Sequence, residues 1–192
     1  MKFNKHYNFK DDEDRAWYER IVRQVLENPP SCLDGFEIER VSLEDDTWDD
    51  SVGWKIACPC GGECGRIWGY SLTDFNPDYD GPVLFVSPLA YQCSRCARVI
   101  EIIDTDKHGY DGECGHGTAT IRGEGDRTMF ECRSCSETTF RVATCFQHSH
   151  FDIIEDEPEL ESVAQNYFDW FTCKGVCTSC GEEQCFGDYE LA

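Results

Sequence analysis

The chain has 192 residues, with 38 acidic against 17 basic side chains, a formal charge of −21, and 14 cysteines. That length allows one domain or two small ones with a real core. The charge repels phosphate backbones and counts against nucleic-acid binding. No stretch approaches the roughly 18 apolar residues of a membrane span.

Met1-Lys2-Phe3-Asn4-Lys5-His6 leads directly into charged residues without an apolar h-region. A soluble, reducing, cytoplasmic setting is therefore expected, and there a cysteine-rich chain binds metal rather than forming disulfides. Asp11 to Asn28 reads as a helix: Asp11, Asp12, Glu13 and Asp14 place negative charge at its positive end, and Pro29-Pro30 stops it. Trp17, Ile21 and Val25, with Tyr18, Val22 and Leu26, give it a broad apolar face for packing on the first sheet. Phe36 to Leu43 alternates as a strand, and Glu44 to Asp50 is an acidic loop anchored by Trp48.

From Trp54 the pattern becomes short strands separated by cysteine knuckles. Trp54-Lys55-Ile56-Ala57 enters Cys58-Pro59-Cys60-Gly61, and Arg66 to Tyr70 leaves it. Asp74 to Pro82 is turn-rich, Val83 to Val86 is strand-like, and Tyr91-Gln92 enters Cys93-Ser94-Arg95-Cys96. Val99 to Ile103 leaves as a strand. The plan then recurs. Met129-Phe130-Glu131 enters Cys132-Arg133-Ser134-Cys135, Phe140-Arg141-Val142 leaves, and Tyr167 to Phe171 precedes Cys177-Thr178-Ser179-Cys180. Phe151 to Ile154 reads as a strand and Glu159 to Asn166 as a short helix. Cys93, Cys96 and Asp104 lie 84 positions before Cys177, Cys180 and Asp188, which points to an internal duplication.

Two C-x2-C turns brought together present four thiolates at tetrahedral angles, the arrangement structural zinc prefers. The second-half set is Cys132, Cys135, Cys177 and Cys180. The first-half set is Cys58, Cys60, Cys93 and Cys96, with Cys60 and Cys64 as the alternative leading pair. The Pro59 and Gly61 context resembles the Cys-Pro-x-Cys-Gly knuckle of zinc ribbons and rubredoxins, shortened by one residue. The resemblance to zinc ribbons covers roughly residues 54–104 and 128–190; the long inserts between knuckles depart from the compact ribbon. It implies two antiparallel modules, each clamping one zinc, with iron as the rival ion.

The expected fold is thus β-rich α+β: an N-terminal helix and acidic loop (1–53), a first zinc-ribbon-like module (54–113) and a second (114–192). Other thiols and imidazoles stay open as ligands. Cys114 and His116 form a C-x-H pair that can replace a member of the second site. Cys145, His148, His150 and Cys173 can form a third site; Cys64 and Cys185 remain unassigned, and Cys32 has no partner in sequence. Asp104 to Glu113 resembles the opening of an EF-hand loop, but Gly115 stands where its bidentate glutamate belongs, so a carboxylate-capped turn is expected. Trp48, Trp68, Tyr79, Tyr110, Trp170 and Tyr189 look exposed, yet basic residues are not interleaved with them as a nucleic-acid groove requires.

The function expected from this reading is a zinc-stabilised acidic module that binds a protein, a basic one, as inhibitors and immunity-type proteins do. No catalytic residue is assigned. The alternatives are an enzyme with an incompletely ligated zinc, and a nucleic-acid-binding ribbon using Arg95, Arg98, Arg122, Arg127, Arg133 and Arg141.

Overall fold

The computed structural model describes residues 9–41, 51–116, 122–149 and 151–191, so the acidic stretch Glu44–Asp50 and His150 lie outside the described residues. Helix α1 spans Asp12–Glu27, and the Asp11 carboxylate accepts from the N–H groups of Glu13 and Asp14, both at 2.9 Å. Those bonds satisfy two of the four orphan donors at a helix start. Tyr18, Ile21, Val22, Val25 and Leu26 form its buried face.

The strands follow in chain order: β1 (Glu37–Val41), β2 (Ser51–Ala57), β3 (Gly65–Ser71), β4 (Phe85–Cys93), β5 (Val99–Ile103), β6 (Thr128–Met129), β7 (Phe140–Gln147), β8 (Trp170–Cys177) and β9 (Glu183–Glu190). Short helices interrupt them: α2 (Leu72–Phe75), α3 (Gly109–Glu113) and α4 (Asp152–Asp156), with a 3-10 segment at Pro158–Asn166. The pairings between these strands are all antiparallel and make one curled sheet with two arms. One arm runs β1-β2-β7-β8-β9 and the other β6-β3-β4-β5. They join where Gly65 of β3 pairs with Phe140 of β7.

The arms repeat one another in register. Gly65 pairs with Cys93 as Phe140 pairs with Cys177, and Gln92 pairs with Val99 as Val176 pairs with Glu183. The β4–β5 ladder shifts register between Leu89 and Ala90, and the β8–β9 ladder shifts at the corresponding Cys173 and Lys174. The repeats also exchange strands. β2 enters the first knuckle but pairs with β7 (Lys55 with Ala143, Trp54 with Thr144). β6 enters the third knuckle but pairs with β3 (Met129 with Trp68, Thr128 with Gly69). An approximate two-fold axis therefore passes between Gly65 and Phe140.

One core fills the space between the arms and under α1. Phe130 lies at its centre, edge-on to Phe85, Phe140 and Phe186 at ring separations of 5.4, 5.8 and 4.8 Å. The helix packs on β2 and on the Pro158–Asn166 segment, with Trp17 Nε1 and the Arg20 guanidinium both donating to the Glu161 carboxylate.

Two local expectations are corrected. Phe151–Ile154 is not a strand; Asp152–Asp156 is a helical turn, with the N–H groups of Ile154 and Glu155 donating to Phe151 O. Phe151 and Ile154 are both buried at a spacing of one turn, which a strand would send to opposite faces. Tyr189 is not exposed: its ring is buried against Phe171 and its hydroxyl donates to Phe85 O at 2.9 Å.

Candidate metal centres

Each knuckle is a tight turn that closes the end of a hairpin or a strand-to-strand passage. In three of them the first cysteine's N–H donates to the carbonyl five residues on, and its own carbonyl accepts from the N–H four residues on. These bonds are Cys93–Arg98 and Ala97–Cys93, Cys132–Glu137 and Ser136–Cys132, and Cys177–Glu182 and Gly181–Cys177. The first knuckle keeps the turn with one residue fewer: Cys58 N–H donates to Gly62 O and Gly61 N–H to Cys58 O. In all four, the residue after the second cysteine is left-handed (Gly61, Ala97, Ser136 and Gly181). The C-x-C spacing thus retains Cys60 in the position that Cys96, Cys135 and Cys180 occupy.

The sulfurs of Cys58, Cys60, Cys93 and Cys96 lie within 4.8 Å of one another, and so do those of Cys132, Cys135, Cys177 and Cys180. Sγ separations are 3.6 Å for Cys58–Cys96, Cys60–Cys93, Cys132–Cys180 and Cys135–Cys177. A disulfide requires about 2.05 Å. Zn–S bonds of about 2.3 Å place tetrahedral sulfurs about 3.8 Å apart. Each cluster can therefore hold a metal ion, and its donor set is four soft thiols. In both, the first cysteine of each knuckle is buried and the second exposed.

The backbone prepares two sulfurs for ionisation. Burial works against the Cys93 thiolate, but N–H groups of Cys96 and Arg95 and the thiols of Cys60 and Cys96 outweigh it and bring its pKa down to about 7. At Cys177 the N–H of Cys180 leads, burial opposes, and the N–H of Ser179 and the Cys135 thiol help, again reaching about 7. Cys60, although exposed as a residue, is pushed up to about 12, first by partial desolvation of its sulfur and then by the neighbouring sulfurs. Without a cation one ionised sulfur suppresses the next; a divalent ion removes that repulsion.

Gly62 leaves room for the first cluster, since a Cβ there would stand 2.7 Å from Cys93 Sγ and 3.3 Å from Cys60 Sγ. Gly62→Ala is accordingly expected to weaken metal binding at this cluster by about tenfold or more, read by competition with a chromophoric chelator.

Cys64 has a different job from Cys60. Its carbonyl accepts from Ser94 N–H at 3.0 Å and Ser94 Oγ at 2.8 Å, as the carbonyl of Thr139 accepts from Thr178 N–H and Oγ1, both at 3.0 Å. Cys64 is thus the repeat counterpart of a threonine. Cys64→Ser is expected to retain metal at both clusters, whereas Cys60→Ser loses it at the first; elemental analysis of the purified variants separates the two.

The other open ligands are dispersed. Cys145 is half-buried on the outer face of β7, whereas Cys173 points inward from β8 beside buried Thr144, so the sheet itself separates them. His148 is in the core, stacked near Phe151, with Nε2 at 3.1 Å from Gln165 O. Cys114 is half-buried at the end of α3, His116 is exposed, and neither joins the second cluster. Cys32 is buried and its thiol pKa is raised, chiefly by burial. Cys185 is half-buried on β9.

Sequence reasoning did not find the buried ion-pair group around Asp104. That carboxylate is 1% exposed and paired with Arg122 and with Lys107, the latter at 2.7 Å; Arg122 also reaches Asp106 at 2.6 Å. Its pKa is held below the ordinary value: burial opposes this, but the hydrogen bonds from Arg122 and Lys107 win. The protein's own cations thus meet the charges that a calcium loop would present. Their distance along the chain, from Asp104 to Arg122, hides the pairing in the sequence.

Compared with known protein families, curated proteins and solved structures, the chain matches none. No helix among the described residues is long and apolar enough to cross a membrane.

Proposed function

We propose that each cluster holds one zinc ion in a structural role and that the chain is an acidic protein-binding module for a basic protein, an inhibitor or immunity-type partner. The observation that carries this reading is a surplus of 21 negative charges on a scaffold whose clusters already have four thiol ligands each. Four-cysteine zinc leaves no position open for water or substrate, which supports a non-catalytic ion. Two such centres, each four thiolates and one Zn²⁺, would deepen the charge to about −25.

The exposed acids support the same reading. Asp152, Glu155, Asp156, Glu157 and Glu159 are exposed on α4 and the segment after it. They adjoin exposed Asp12 and Glu13 at the start of α1, where Lys10 bridges to Glu155 at 2.9 Å. A field of one sign speeds encounter with an opposite charge and disfavours like-charged partners.

Two measurements test it. Elemental analysis of protein purified without added metal should return two zinc ions per chain; a red, iron-containing protein would overturn the zinc assignment. The immobilised chain, exposed to native lysate at low salt and eluted with salt, should release a basic protein. Re-association of that purified protein should slow as salt rises. A neutral or acidic partner with a salt-independent on-rate would overturn the inhibitor reading.

A further inference from the structure

We propose that the two clusters take up and release metal as one cooperative unit, coupled through the exchanged strands β2 and β6. This rests on the reading of both clusters as zinc centres and adds how they behave together.

The first cluster needs Cys58 fixed in space, and Cys58 follows directly from β2. The partner that holds β2 along Ser51–Ile56 is β7, through Gln147–Val142. β7 starts at Phe140, just after the knuckle of Cys132 and Cys135, and so is anchored by the second cluster. The reciprocal dependence is also present. Cys132 follows β6 and Phe130, and these are held by β3: Met129 pairs with Trp68, and Phe130 N–H donates to Ile67 O at 2.9 Å. β3 starts at Gly65, just after the first knuckle.

Opening either cluster therefore frees one end of a strand whose ladder partner orders the other cluster. At the axis, Gly65 and Phe140 pair directly. The core has the same connectivity. Phe130, which enters the second cluster, packs on Phe85 of the first repeat as well as on Phe140 and Phe186 of the second. Coupling between sites requires a shared element with an ordered and a disordered state, and each exchanged strand is one. Binding at one cluster then prepays the ordering that the other would need.

The decisive test uses the unmodified chain. Metal-free protein is titrated with zinc and the zero-, one- and two-ion species are counted by native mass spectrometry at half-loading. Cooperative loading leaves the one-ion species rarer than two independent sites give. A one-ion share equal to or above the independent value would overturn the proposal. Saturation reports separately on the underlying reading: fewer than two ions bound in excess zinc removes one of the clusters as a zinc centre, whatever the distribution at half-loading.

A second measurement follows the coupling into the strands. In Cys60→Ser, which damages only the first cluster, amide protection should fall at Val142–Thr144 of β7, and zinc affinity at the intact second cluster should weaken by about tenfold. Unchanged protection in β7 with unchanged affinity at the second cluster would count against the proposal.

Discussion

Chelating the metal from the wild-type chain at neutral pH is expected to abolish its cooperative thermal transition, and restoring zinc is expected to bring it back. Structural zinc contributes on the order of 10–16 kcal/mol in finger peptides near neutral pH. Whole domains are stable by only about 5–15 kcal/mol. Two four-cysteine clusters close the ends of the strands here, so without metal the four knuckles keep their turn hydrogen bonds and the bonds that Ser94 and Thr178 make to the facing chain, but lose the ion that would tie each pair together. Buried Cys58 and Cys93 in one cluster, and buried Cys132 and Cys177 in the other, would then face each other as thiols. Near-ultraviolet circular dichroism and calorimetry on chelated and reconstituted protein measure the loss. Survival of the same transition after complete metal removal would show that the clusters are not structural. Because bound thiols must lose their protons, lowering the pH should release metal and destabilise the fold in parallel.

Much of this fold is legible one element at a time. Asp11 and the acids after it, followed by Pro29-Pro30, mark α1, which the structure runs from Asp12 to Glu27. Apolar residues leaving a knuckle mark Val99–Ile103 and, at Phe140–Val142, the start of the longer β7, and the cysteine pairs mark the turns between strands. The repeat is also legible, because the offset linking Cys93 to Cys177 reappears as matched ladders and a matched register shift. What sequence conceals is which strand lies beside which. Hairpins β4–β5 and β8–β9 are set by the turn between them, whereas β2–β7 and β6–β3 join residues far apart in the chain and leave no local signature. Ile153-Ile154 misleads for a related reason. Two β-branched residues between acids favour a strand locally, but packing of Phe151 and Ile154 into one core wall selects a helical turn. Asp104 and Asp188 show the limit of the repeat itself. The first is buried between Arg122 and Lys107; the second is at the surface, accepting from Trp170 Nε1 at 2.6 Å and Thr172 Oγ1 at 2.8 Å.

Asp152, Glu155, Asp156, Glu157 and Glu159 stand exposed together on α4 and the segment after it. Reversing Asp156, Glu157 and Glu159 to lysine should slow association with a basic partner by about tenfold or more at low salt, since steering raises on-rates by about 10 to 1,000-fold. All three side chains are exposed and none takes part in the ion pairs that hold α1, which use Glu155 and Glu161. Zinc content and melting temperature should therefore be unchanged. The difference between variant and wild type should shrink as salt rises, because the Debye length falls from about 10 Å at 0.1 M to about 3 Å at 1 M. Stopped-flow association at several ionic strengths measures both effects. If the variant associates as fast as the wild type at low salt, these carboxylates serve solubility alone and the partner is recognised elsewhere.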